Sequence, residues 1–143
     1  MPRKNDEQAA TELALALGLL VRRIRSAAPS ESREVSWMQM AVIRRLDIEG
    51  PVTTAELARA EGVKPQSMGA TIAALEELGF VTRKPHPTDG RQMNIALTEK
   101  GARMRKEARI AKQTWLAQAI AKLEVSEQKK LSALTGLINH LAE

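Results

Sequence analysis

Two short helical patterns joined through a single glycine, between Thr53 and Phe80, constrain this chain more than any other stretch. Thr53 followed by Glu56 has the form of a capping box, which satisfies two orphan amides at a helix start. Leu57, Ala58 and Ala60 give that helix a small or apolar inner surface, and Gly62 supplies the φ > 0 position that ends it. Pro65 then occupies a first helical position, where its missing N–H leaves nothing unsatisfied. On the second helix Met68, Ile72, Leu75 and Leu78 share one face at helical spacing. Gln66, Ala70, Ala73 and Glu77 share the other, flanked by Ser67, Gly69 and Ala74. That outer face is small near its start and suits close approach to a surface, as in a groove. An ordinary helical hairpin covering a core has the same pattern, so this stretch leaves both readings open.

After Gly79 the apolar period changes from that of a helix to that of a strand. Val81 to Lys84 reads as a strand, and Pro85, His86, Pro87, Thr88, Asp89 and Gly90 as a turn-rich loop. In the return strand Met93, Ile95 and Leu97 alternate with Asn94 and Ala96. Arg83, Lys84 and Arg91 lie near the tip. A helix-turn-helix followed at once by a basic β-hairpin is a winged helix, a more specific pattern than either part alone.

The remaining chain is helical. A first helix over about 6–27 carries the stripe Leu13, Leu17, Leu20 and Ile24 and ends in Arg22, Arg23 and Arg25, cations suited to a helix C-terminus. Residues 28–35 form a connector. Ser36 with Gln39 opens a helix expected to turn Trp37, Met40, Ile43 and Leu46 inward. Gly50-Pro51 stops it, and Val52-Thr53 suits a very short strand. Thr98 caps a long helix with Glu99 in its first turn, and Ser126 is the expected start of a last helix bearing Leu131, Leu134, Ile138 and Leu141. The fold class is therefore mainly α with a small β-hairpin wing. The expected division is a dimerisation helix and connector at 1–35, a winged helix-turn-helix DNA-binding domain at 36–98 and C-terminal dimerisation helices at 99–143. The two terminal leucine stripes are more apolar surface than a small winged helix needs for itself, and two-fold pairing would bury them.

Composition removes other classes. With no cysteine there are no disulfides, thiol switches or cysteine-based zinc sites. Lysine and arginine number 22 against 17 acidic residues, an excess that suits a polyanion but is common among soluble proteins. Aromatics are only 2%, which weakens single-strand binding by base stacking. The longest apolar run, Leu13 to Val21, is far short of a membrane span, so a soluble cytoplasmic protein without membrane contact is expected. No P-loop, dinucleotide fingerprint or nucleophile elbow occurs, so neither an enzyme nor a cofactor is expected. His86 and His140 lack partners at ligand spacing, and no metal is assigned.

The segment Gly79-Phe80-Val81-Thr82-Arg83, then Asp89-Gly90-Arg91, then Leu97-Thr98-Glu99-Lys100-Gly101 resembles the MarR family of bacterial winged-helix regulators, and the likeness covers almost the whole chain. The resemblance implies a homodimer with intertwined terminal helices on a palindromic operator in double-stranded DNA, repression being the expected direction and release by a small-molecule effector an added expectation. It also implies that the second helix of the motif enters the major groove and that Arg91 reaches the minor groove. Two departures stand out. Gly69 and Ala70 fall where larger polar or basic residues are frequent in the family, and Lys64 replaces a serine-type cap before Pro65.

Residue chemistry then suggests roles. A narrow minor groove attracts an inserted arginine such as Arg91, with Asp89 orienting it. Gln66 can pair with adenine, Ser67 with a base or phosphate, and Ala70 and Ala73 with a thymine methyl. Lys64, Arg83 and Lys84 suit phosphates, as do Thr53 and Thr54 at a helix N-terminus. Trp37, Met38 and Met40 could line an effector pocket between the terminal helices and the winged helix; core packing explains the same residues. A protein-interaction module and a nonspecific architectural DNA binder remain the alternatives in function.

Overall fold

Capping chemistry sets the helix boundaries. The computed structural model describes residues 1–143, beginning with α1 (Lys4–Ser26), α2 (Ser30–Arg33) and α3 (Trp37–Glu49). A short strand β1 (Val52–Thr53) leads into the hairpin of α4 (Thr54–Glu61) and α5 (Pro65–Glu77). The wing is β2 (Val81–Pro85) and β3 (Met93–Leu97), and α6 (Glu99–Ala121) and α7 (Val125–Leu141) follow. Ser36 Oγ accepts from the Gln39 N–H at 3.1 Å while Gln39 Oε1 accepts from the Ser36 N–H at 2.9 Å. Thr53 and Glu56 make the same reciprocal pair, each bond 3.2 Å. Both boxes are the ones the sequence pattern indicates.

The hairpin turn is a Schellman motif. Gly62 sits at φ 66°, the Val63 N–H donates to Ala58 O at 3.0 Å and the Gly62 N–H to Arg59 O at 3.3 Å. The same motif ends α5 around Gly79, where the Phe80 N–H reaches Leu75 O at 3.0 Å. The sheet order is β1-β3-β2, all antiparallel, with Val52 opposite Ile95 and Val81 opposite Leu97.

The chain divides into two compact units, Ala28–Ile110 and the combination of Met1–Ala27 with Ala111–Glu143. The first unit takes in α2 and the opening half of α6 as well as the winged helix, and Ser32 of α2 and Met104 and Ala108 of α6 are buried in it. Its core joins Val42, Ile43, Leu46, Leu57, Met68, Ile72, Leu75, Phe80 and Ile95. Burying Phe80, 1% exposed, stabilises by about 1.5–3 kcal/mol. In the second unit no side chain is fully buried.

Five details differ from the sequence expectation. The connector contains the one-turn helix α2, closed by the Ser32 hydroxyl on Pro29 O at 2.8 Å. The last helix is opened by Glu124 and Glu127, whose carboxylate accepts from the Glu124 N–H at 2.9 Å, rather than by Ser126. Trp37 is 71% exposed, since it lies nine positions before Leu46, two and a half turns away and so on the opposite face. Leu78 is 38% exposed because it is the C-cap of α5, where the face-to-core alignment ends, and Ala60 is exposed too.

Candidate nucleic-acid interface

The buried side chains Met68, Ile72 and Leu75 fix which face of α5 looks outward. Gln66, Ser67, Ala70 and Ala73 are exposed on it, with Gly69 half-buried among them. The Thr71 hydroxyl turns back to Ser67 O at 3.1 Å. Lys64, exposed at the N-cap position, makes no capping hydrogen bond through its side chain. Thr53, expected at the phosphate-facing end of α4, is instead 7% exposed, since it is held in its capping box against β3. Thr54 beside it is half-buried.

The end of α5, the wing and the start of α6 are fastened to one another. Thr98 Oγ1 donates to Gly79 O at 2.6 Å and accepts from the Gly101 N–H at 3.1 Å. The Thr98 N–H donates to Phe80 O at 3.0 Å, and Lys100 Nζ donates to Leu78 O at 2.8 Å. A Cβ on Gly101 would stand 2.3 Å from Phe80 O, so only glycine allows this approach of helix to strand. These contacts give the Leu-Thr-x-x-Gly segment its physical meaning: it sets where the wing leaves the body.

Within the wing loop His86 Nδ1 accepts from the Thr88 N–H at 3.2 Å and the Asp89 N–H at 3.1 Å. The His86 N–H donates to Gln92 O at 3.1 Å. His86 thus organises the tip, a role that consideration of metal ligands alone overlooks; its place between two prolines in a turn was the available signal. Asp89 Oδ1 accepts from the Arg91 N–H at 3.1 Å and from Arg91 Nε at 3.4 Å, leaving the Arg91 side chain 93% exposed. Lys84 is exposed nearby. Arg83 has a partner within the fold: its Nε lies 3.4 Å from Glu76 on α5, tying wing to helix.

Arg45 is a further residue that sequence patterning missed. Its Nε donates to Glu61 Oε1 at 3.0 Å and its Nη1 to Glu49 Oε1 at 2.8 Å, which pins the end of α4 to α3. The hydrogen bond to Glu61 leads in raising the guanidinium above its ordinary range, against an opposing effect of burial. Arg105 pairs with Asp47 and fixes α6 on α3 in the same unit. Trp37, Met38 and Met40 do not act alike: the two methionines pack half-buried against the core while Trp37 is exposed.

In the other unit Leu13, Leu17, Ile24, Leu131 and Ile138 are half-buried, whereas Leu20, Leu134 and Leu141 are exposed at 42%, 42% and 71%. Leu15, Leu19 and Leu137, absent from the sequence stripes, are exposed at 65%, 57% and 62%. The i,i+4 spacing of Leu15 and Leu19 was the signal for them. The Arg23 guanidinium lies 5.4 Å from the Trp115 ring centroid and ties α1 to α6 there. No helix is long and apolar enough to cross a membrane.

Residues 35–93 match the sequence model of the MarR family. Over 139 residues the chain is 40% identical to an uncharacterized HTH-type transcriptional regulator of Mycobacterium bovis, spanning 97% of this chain and 96% of that protein. A crystal structure of a transcriptional regulator protein of Pseudomonas aeruginosa superimposes with a TM-score of 0.82 at 29% identity, over 99% of each chain. The fold also recurs, at 16% identity and a TM-score of 0.73, in a mutant of S. aureus MepR bound to an oligodeoxyribonucleotide, over 93% of this chain and 97% of that one. A glycine-turned helical hairpin, a wing locked by Thr98 and Gly101, and identity along nearly the full length converge: the chain belongs to the MarR family of DNA-binding transcriptional regulators, which are not enzymes.

Proposed function

We propose that the protein binds a palindromic operator as a homodimer, with α5 in the major groove and Arg91 of the wing at the minor groove, and that occupancy represses transcription. The observation that carries this reading is that one compact unit exposes Gln66, Ser67, Ala70 and Ala73 on α5 while its wing presents Arg91, 93% exposed and held by Asp89. Lys64, Lys84 and the N-terminal turn of α4 at Thr54 supply phosphate contacts, which position a protein without specifying sequence. Arg83 supports the wing through Glu76. The exposed leucines of α1 and α7 pair across the two-fold axis. Operator binding places the protein's work in the cytoplasm.

Effector control belongs to the same proposal, with exposed Trp37 as the contact that a planar ligand would use. A ligand alters DNA affinity only by binding the DNA-competent and incompetent dimers unequally. Release of the operator by small aromatic acids, and loss of that release in Trp37→Ala, is the expected behaviour.

Selection of bound duplexes from a random library tests the core of the reading. The expected product is a palindrome with half-sites about one helical turn apart. Equal affinity for all duplexes at a stated salt concentration would replace the regulator by an architectural binder.

A further inference from the structure

The recognition helix lacks the usual means of reading guanine. Between Pro65 and Glu77 there is no arginine, lysine, histidine or asparagine. The commonest specific contact to guanine is a bidentate arginine or lysine. The polar groups on this helix are few, and several are already engaged: the Thr71 hydroxyl bonds Ser67 O, and Glu76 accepts from Arg83. Glu77 sits at the C-terminal end, about 16 Å along the axis from Gln66, whereas recognition helices contact bases with their N-terminal residues. What remains outward near the N-terminus is Gln66, Gly69, Ala70 and Ala73, at the i, i+3, i+4, i+7 spacing of a single face, with the Ser67 hydroxyl at its edge.

Gly69 adds an independent observation. Glycine inside a helix is destabilising relative to alanine. A Cβ built on Gly69 meets nothing within 4 Å, so packing within the chain gives no reason for glycine at this position. The missing side chain leaves room for close approach from outside the chain.

We propose that each half-site is read as an A·T-rich major-groove core: Gln66 pairs with adenine, Ala70 and Ala73 contact thymine C5-methyl groups, and Gly69 lets the helix seat closely enough to reach them. The proposal rests on the operator-binding reading above and names what that site recognises. Lys64, ahead of the helix, stays with the phosphates, and its removal weakens all duplexes alike.

The experiment uses the full chain and the best duplex from the library selection. Each half-site thymine is replaced singly by deoxyuracil, which deletes the methyl and keeps the base pair. Loss of about fourfold in affinity is expected for each thymine under Ala70 or Ala73, the effect of one buried methyl. Ala70→Gly should abolish the response to uracil at its own position only, whereas a loosened helix would weaken every duplex equally. Gly69→Ala should raise the thermal midpoint by a few degrees yet weaken operator binding about tenfold or more. Ala70→Ser, which keeps a Cβ in the helix, should bind more weakly than the parent to the thymine duplex and show no uracil response. A selected core of G·C pairs, or a palindrome whose affinity ignores uracil, overturns this proposal alone. Parent-like operator affinity in Gly69→Ala overturns it too. A library that yields no preferred sequence overturns the operator reading beneath it.

Discussion

Gly101→Ala puts the fastening of wing to body to a quantitative test. Alanine favours a helix over glycine by about 1 kcal/mol, so on propensity alone the variant would be more stable. Space opposes it. The new methyl would stand 2.3 Å from Phe80 O, 2.8 Å from Leu97 Cδ1 and 3.1 Å from Phe80 C, and two of those three are backbone atoms. For ordinary contact the start of α6 must retreat by about 1 Å. Retreat stretches the Thr98 N–H bond to Phe80 O and the Thr98 hydroxyl bond to Gly79 O, at 3.0 and 2.6 Å in the native fold. Overpacking costs about 1–3 kcal/mol and each weakened hydrogen bond about 1 kcal/mol. The net expectation is a loss of about 2–4 kcal/mol, or roughly 5–15 °C in midpoint. Circular dichroism melts of both variants at one fixed protein concentration read it out, since oligomerisation makes the midpoint concentration-dependent. Gly69→Ala is the internal control, with open space and the opposite sign. If Gly101→Ala melts at or above the parent, the close approach of α6 to Phe80 is not what holds the wing.

Replacing Leu137 and Leu141 together by glutamate, at sites 62% and 71% exposed, should yield a monomer in sedimentation with the winged helix still folded; an intact dimer would refute pairing through α7. With Lys64 and Lys84 on phosphates and Arg91 in the minor groove of each protomer, about six cations neutralising phosphate charge predict a slope near −5 in log affinity against log salt, and about a 10³-fold loss between 50 and 200 mM. A flat salt response excludes the interface. Arg91→Ala should leave stability within about 0.5 kcal/mol of the parent, the side chain being 93% exposed, and yet weaken binding to many sequences in a library selection. If it changes the central bases of the selected palindrome, while Gln66→Ala does not, the orientation of α5 is wrong.

The parts of the fold legible in sequence were those encoded by local chemistry. Two capping boxes, a left-handed glycine, and the switch of period at Gly79 each carry their own signal within a few residues. Legibility failed where the determinant was non-local or at an element's edge. Trp37 and Leu78 are large and apolar, and type alone favours burial, but each lies at the terminus of a helix that turns it away from the core. Arg45 could not be found because its partner Glu61 is sixteen residues away and only the packing of α4 on α3 brings them together. The Arg83–Glu76 pair is hidden for the same reason: nothing local says that Glu76 waits across the turn. Thr53 shows a different failure, since one residue was given two roles and the capping role excludes exposure.

Cations in this protein divide by the work their surroundings allow. Arg45, Arg83, Lys100 and Arg105 are committed to internal partners: Glu61 and Glu49, Glu76, Leu78 O with Glu31, and Asp47. Each crosses between elements that must hold a fixed angle, namely α3 to α4, the wing to α5, α6 to α5 and α6 to α3. A formal charge of +5 therefore says little about where DNA would meet the surface, because it does not tell these four engaged cations from the exposed ones. The exposed cations around α5 sit ahead of it at Lys64 or on the wing at Lys84 and Arg91, and the helix itself carries only the two glutamates at its far end. Affinity that falls with salt and preference for particular bases then arise from different residues. Salt-dependent affinity follows Lys64, Lys84 and Arg91, while base preference follows an uncharged face whose contacts salt hardly screens. Raising the salt should weaken operator and random duplex together while leaving their ratio nearly constant, and a ratio that collapses with salt would mean that charge, not the face of α5, discriminates among sequences.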